Sequence, residues 1–246
     1  MRKMALKTFF AVMLLIVVFF ISGCGSSTDG NVFIYNWGKA EMVDNLRELG
    51  IKVVVVKGPK SIADVKENVK LIAKTLGEED KGNLMIAKMD DKLAEIKEKV
   101  DNIKPEERKK LVLISLMTSY GGKGCTFDDI CQYAGVINGV SDAGLHNGQF
   151  LTKEMLVAIN PDLLIMPVYN DHNTFDIEKY NKEFLDDPAL QTLNAVKEKR
   201  FFYPREGYIY NSSQDIVFGV QEVARAAYGE LFSQPENCHI SVAEIN

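Results

Sequence analysis

The stretch from Glu79 to Asn102 most constrains what this chain can fold into. Its apolar residues Ile86, Met89, Leu93, Ile96 and Val100 recur every three or four positions. That spacing puts them on one face of an α-helix. At 1.5 Å per residue the helix is roughly 35 Å long, enough to bridge two lobes. Pro105 follows it.

Strand and helix patterns alternate on both sides of this rod. Upstream, Val32 to Tyr35 reads as a strand, and Lys39 to Leu49 as a helix stopped by Gly50. The β-branched run Val53 to Val56 reads as a buried parallel strand, completing one βαβ unit. Ser61 opens a further helix, with Asp64 as capping-box partner and Gly77 at its end. Its apolar line is Ile62, Val65, Val69, Ile72 and Leu76.

Downstream, Leu111 to Leu116 is a strand and Met117 to Cys125 a Gly-rich loop. Thr126 caps the next helix, with Asp129 at the capping-box position and Gly135 as its stop. Thr152 caps a short helix, and Leu163 to Met166 is a buried strand ended by Pro167. A polar loop from Val168 to Thr174, a helix around Pro188 to Lys197 and a strand from Phe201 to Tyr203 follow. Ser212 or Ser213 caps a last amphipathic helix bearing Ile216, Val220, Val223, Ala227 and Leu231. From Gln234 onward the tail is polar and expected to be poorly ordered. The fold class is therefore α/β, with parallel sheets flanked by helices in two lobes joined by a long rigid helix.

The first residues are of a different kind. Arg2, Lys3 and Lys7 precede an unbroken apolar run from Phe9 to Ile21, and then Ser22-Gly23-Cys24. This is the pattern of a secretory signal, too short to span a membrane as a helix. A cysteine directly after Ser-Gly resembles the lipobox of bacterial-type lipoproteins. That resemblance implies lipidation at Cys24 and a membrane held by a lipid anchor. The expected organisation is a signal at 1–23, a tether at 24–31, a reduced N-terminal lobe at 32–78, a spine helix at 79–104, a C-terminal lobe at 105–233 and a tail at 234–246.

The balance of charge is −5 and no basic stripe carries interleaved aromatics, which argues against nucleic acid as a partner. Besides Cys24 there are Cys125, Cys131 and Cys238. Cys125 and Cys131 either form a local disulfide or serve as a small loop residue and a buried helix residue.

Ligands of open α/β sheets bind outside the carboxyl ends of the strands. Three loops of the C-terminal lobe meet that description. The first holds Ser119, Tyr120, Lys123 and Thr126, the second Tyr169, Asn170 and His172, and the third Arg205, Tyr208 and Tyr210. Tyrosines supply flat apolar area with a polar tip, and Arg and Lys suit an anionic ligand. The candidate ligand residues are Tyr120, Lys123, Tyr169, Asn170, His172, Arg205 and Tyr208. Trp37 either faces this cleft or caps the reduced lobe. His146 and His172, even with Cys125, show no metal-ligand spacing, and no metal site or cofactor is expected. Cys125 with His146 and the pair Asp128-Asp129 are the only enzyme-like constellations. Adjacent helical acids diverge, and no nucleophile elbow, P-loop or dinucleotide fingerprint occurs, so no catalysis is expected.

Several segments, in order, resemble the substrate-binding lipoproteins of ABC importers for iron-siderophores, haem and cobalamin. They are Gly50 to Val56, Ser61 to Val65, Leu76-Gly77, Gly122 to Ile130, Ala134 to Asn138, Asn160 to Ile165 after Glu154, and Tyr228 to Phe232. The resemblance implies capture of a metal chelate outside the membrane and delivery to a permease, with Glu154 docking against permease arginines. The first-turn position of Glu154 is also plain helix-end stabilisation. The family has a full first lobe ahead of the spine, where this chain has Val32 to about Pro59. Two strands and one helix cannot bury their apolar faces alone. The expected alternatives are a natural truncation, a damaged gene or half of a site completed by a partner. The corresponding second reading of function is a lipid-anchored remnant or partner subunit without independent ligand binding.

Overall fold

The structure, a computed structural model, describes residues 31–35, 40–116, 119–168 and 175–241. Cys24 and Trp37 lie outside them. Two compact units divide between Val55 and Val56.

In the first unit, β1 (Asn31–Tyr35) and β2 (Lys52–Val56, its last residue falling in the second unit) pair in a two-stranded sheet, with α1 (Ala40–Glu48) between them in sequence. Gly50 follows α1 with φ 77°, the left-handed turn expected of it, and donates to the Arg47 carbonyl at 2.9 Å. Val56 is buried but Val53, Val54 and Val55 are only half-buried, unlike the fully buried strand that their sequence suggests. A sheet of two strands among the described residues offers too little cover for more.

The second unit opens with α2 (Ile62–Leu76) and α3 (Glu79–Val100), the latter about 33 Å long. Ser61 Oγ accepts the Asp64 N–H at 3.1 Å. The Asp64 carboxylate reaches the Lys60 N–H at 2.8 Å and not that of Ser61, so only half of the capping box forms. Met89, Leu93, Ile96 and Val100 of α3 enter one core with Ile62 and Val65 of α2. The long helix is thus packed into the same unit as the sheet that follows.

That sheet contains β3 (Lys110–Leu113), β4 (Ile137–Asn138), β5 (Leu163–Ile165) and β6 (Phe201–Phe202), all parallel, in the order β4-β3-β5-β6. Leu111 pairs with Leu163 and Leu113 with Ile165. Strand side chains alternate between faces. Leu111, Leu113, Leu163 and Ile165 therefore pack with α2, α3, α4 (Thr126–Tyr133) and α10 (Ile216–Tyr228). Val112, Ile114, Leu164 and Met166 pack on the other side with Leu156 of α6 (Lys153–Ile159), Leu190, Leu193 and Ala195. Burial on both faces explains why these strands read as unbroken apolar runs.

Several local expectations give way. The Pro188 to Lys197 helix is a 3-10 turn (Pro188–Leu190) and a separate short α8 (Asn194–Lys197), because Leu193 between them is extended. Three helices absent from the sequence reading are α5 (Gly139–Asp142), α7 (Ile177–Leu185) and α9 (Glu206–Ile209), the last a single turn within the loop that follows β6. The last helix starts at Ile216 after Asp215, and Ser213 Oγ instead accepts the Asp215 N–H at 3.3 Å. The polar tail is packed as far as Ser241, with Ile240 buried in the first core.

Candidate ligand-binding site

The carboxyl end of β3 leads through Ser115 into the Gly-rich loop. Gly122 lies so close to the following 145–147 segment that a Cβ would stand 2.7 Å from the His146 carbonyl carbon and 2.8 Å from the Leu145 oxygen. Only glycine fits there. The loops are then laced together by Lys123 N–H to Leu145 O at 2.9 Å, Asn147 N–H to Lys123 O at 3.0 Å and Gly148 N–H to Ser119 O at 2.7 Å. This leaves the Lys123 side chain exposed.

Buried Asp128 secures the same loop. Its carboxylate accepts from Asn138 Nδ2 at 2.9 Å and from the Ser141 hydroxyl, and Asn138 Nδ2 also reaches the Gly121 carbonyl at 2.9 Å. Asp129, next to it, turns away to the Ile62 N–H at 2.6 Å. The two acids diverge onto different partners. Residue 126 does not cap α4: the N-cap is Cys125, without a side-chain cap bond. The Thr126 hydroxyl instead lies 2.9 Å from the Tyr120 hydroxyl.

Tyr120 is half-buried, and its ring centroid is 5.4 Å from that of Tyr210. The Tyr210 hydroxyl donates to Ser115 Oγ at 3.2 Å. The loops after β3 and β6 therefore meet through a tyrosine pair at the carboxyl ends of their strands. Burial, with Cys125 and Tyr210 alongside, pushes the Tyr120 phenol far above its ordinary pKa, against the Thr126 hydrogen bond. Tyr120 is thus a neutral phenol with its ring against that of Tyr210.

Arg205 and Tyr208 are engaged elsewhere. Arg205 Nη1 donates to the Pro235 carbonyl at 2.7 Å and Nη2 to that of Gln234 at 3.3 Å. The buried Tyr208 hydroxyl donates to the Cys238 carbonyl at 2.8 Å. Both side chains bind the C-terminal segment. Tyr210, from the same loop, joins Tyr120. Ser115 was missed; its one signal is its place just past the carboxyl end of β3. Tyr169, Asn170 and His172 lie outside the described residues.

Glu154 is exposed in the first turn of α6, beside the Lys153–Asp187 ion pair. Its own backbone N–H and the Thr152 hydroxyl hold its carboxyl below the usual range. Thr152 Oγ1 also accepts the Met155 N–H at 3.3 Å, as a cap should. Cys125 and Cys131 are buried free thiols, and burial raises the pKa of both. Among the described residues no group of three or more His, Cys, Asp or Glu is placed to hold a metal ion.

Two surface depressions, of about 280 Å³ (Lys109, Asp162, Phe201, Phe202) and about 350 Å³ (Lys110, Asp142, Leu145, Met155), contain none of the candidate ligand residues. The first lies at the amino ends of β3, β5 and β6. The candidate residues lie instead in loops at the carboxyl ends of the strands, where ligands of open α/β sheets generally bind.

A parallel sheet with tyrosine-bearing loops at its carboxyl ends, packed against a long helix, places the chain among α/β proteins of the solute-binding type. The family model described as periplasmic binding protein matches residues 33–206, and the chain belongs to that family. It is 25% identical over 201 residues to an uncharacterized ABC transporter substrate-binding lipoprotein, YvrC, of Bacillus subtilis (strain 168). The match covers 79% of this chain and 60% of that relative's length. Similar solved folds include the periplasmic heme-binding protein RhuT from Roseiflexus sp. RS-1 in apo form, with TM-score 0.68 and 19% identity over 80% of this chain and 74% of that one. Another is the Haemophilus influenzae molybdate periplasmic binding protein MolA, with TM-score 0.65 and 16% identity over 82% of this chain and 66% of that one.

Proposed function

We propose that this chain is the extracytoplasmic solute-binding component of an ABC importer, tethered by lipid at Cys24. It captures an iron-siderophore or related metal chelate, such as haem or cobalamin, and passes it to a membrane permease. The Tyr120–Tyr210 pair beside Ser115 carries this reading: it is a half-buried aromatic surface with polar tips where ligands of such sheets bind. Exposed Lys123 adds a cation for an anionic chelate, and Tyr169, Asn170 and His172, which follow β5 in sequence, are the other residues of the proposed set. Glu154, exposed and ionised, is the contact for permease arginines, where a charge pair sets the register of the partner. No catalytic step is required.

A second reading, a lipid-anchored remnant or partner subunit without independent ligand binding, draws on one observation. Arg205 and Tyr208 are already occupied by the chain's own C-terminal segment. Thermal unfolding with haemin, cyanocobalamin and a ferric hydroxamate separates the two. A ligand that binds only the folded state raises the Tm by mass action. A rise with one of them, abolished by Tyr120→Ala, supports capture; flat profiles with all three support the second reading.

A further inference from the structure

After a 3-10 turn at Gly229–Phe232 the chain runs back as a strap, Ser233–Ser241, over the loop that follows β6. Its backbone is the target of side chains on that loop. Arg205 takes the carbonyls of Gln234 and Pro235, and Tyr208 that of Cys238. Asp215 Oδ1 accepts the Ile240 N–H at 2.8 Å, and Gln214 Nε2 reaches the Ile240 carbonyl at 3.3 Å. Ile240 is buried in the core that also holds Tyr208 and Phe218.

These anchors bracket Tyr210 on both sides, at 205 and 208 before it and at 214 and 215 after it. The inner side of the same loop is held by α10. A Cβ on Gly219 would stand 2.4 Å from the Tyr208 carbonyl oxygen, and buried Glu222 accepts the Arg205 N–H at 3.2 Å. The loop is thus clasped between α10 and the strap.

We propose that Ser233–Ser241 is a brace for the ligand face, holding Tyr210 against Tyr120 from outside, so that the strap and the site are energetically coupled. The ligand-binding meaning of that coupling rests on the function proposed above; the brace itself does not. Coupling is reciprocal. Loosening the strap must move the tyrosine pair, and a ligand packed on the pair must tighten the strap.

The test uses the full chain labelled with 3-fluorotyrosine, with the Tyr120 and Tyr210 fluorine resonances assigned by Tyr→Phe variants. Ile240→Ser removes the strap's apolar anchor. Release is read from the thiol reactivity of Cys238, assigned by Cys238→Ser. We expect that reactivity to rise about tenfold as the segment opens locally, with both fluorine resonances shifted or broadened. Tyr208→Phe, which deletes one hydrogen bond and keeps the ring, shifts both resonances in the same direction by less. Faster Cys238 reaction with both resonances unmoved overturns the proposal. Should Ile240→Ser not fold, Arg205→Gln combined with Tyr208→Phe is read by the same resonances, and no shift there overturns it equally. None of these readouts needs a ligand, so failure of the thermal screen leaves the brace standing.

Discussion

The Asp129 carboxylate accepts the backbone N–H of Ile62 at 2.6 Å, joining the first turn of α2 to α4 across 67 positions of sequence. Ile62 is fully buried, so this N–H has no solvent to turn to. Burial raises the Asp129 pKa, and the negative charges of Asp128 and Asp64 add to the rise, while the Ile62 bond opposes it. A raised carboxyl in the folded state means the fold favours its proton. That increment of stability is complete below the ordinary carboxylate range and is lost as pH rises through the raised value. Asp129→Asn keeps an acceptor without a charge. It should match or exceed the parent in urea unfolding at pH 7 and show a flatter profile between the two pKa values. Asp129→Ala orphans the N–H and should cost about 1–3 kcal/mol at pH 7.

Gly219→Ala sets two effects against each other. Helix propensity favours alanine by about 0.5–1 kcal/mol. The new Cβ, however, meets the Tyr208 carbonyl oxygen at 2.4 Å, a backbone atom held by its own loop. Overpacking costs about 1–3 kcal/mol, and the clash should win. The variant is expected to melt several degrees lower, measured by circular dichroism.

Asp128→Ala should destabilise by about 2–3 kcal/mol, because it leaves the buried Asn138 amide and the Ser141 hydroxyl without their shared acceptor. Since Asn138 also holds Gly121, amide hydrogen exchange at residues 119–124 should quicken more than in α10. Equal acceleration in both would refute a local role.

Of the three described cysteines, Cys238 should react first with Ellman's reagent at pH 8. It is half-exposed, whereas burial raises the pKa of Cys125 and Cys131 and shields both. Peptide mapping by mass spectrometry identifies which thiol is labelled.

The alternation of strand and helix was legible because each pattern answers to a local cause. Apolar spacing of three and four marks α2 and α3, and apolar runs mark β3 and β5. Ser61 and Thr152 cap their helices as their neighbours in sequence suggest. The capping box at Thr126 and Asp129 did not form, although its spacing is equally good. Thr126 found Tyr120 and Asp129 found Ile62, and both partners come from elsewhere in the fold. The bonds of Arg205 and Tyr208 to the C-terminal segment could not be read from sequence for a related reason: the backbone carbonyls that take them are invisible in side-chain patterns.

Side-chain periodicity and composition by themselves determined the α/β class and the long helix. Which tyrosine faces which loop, and that a polar tail becomes a strap, was decided only in the tertiary structure. Periodicity acts over one or two turns of chain. Hydrogen bonds between distant groups depend on where burial leaves a donor or acceptor unpaired, and that is a property of the packed molecule.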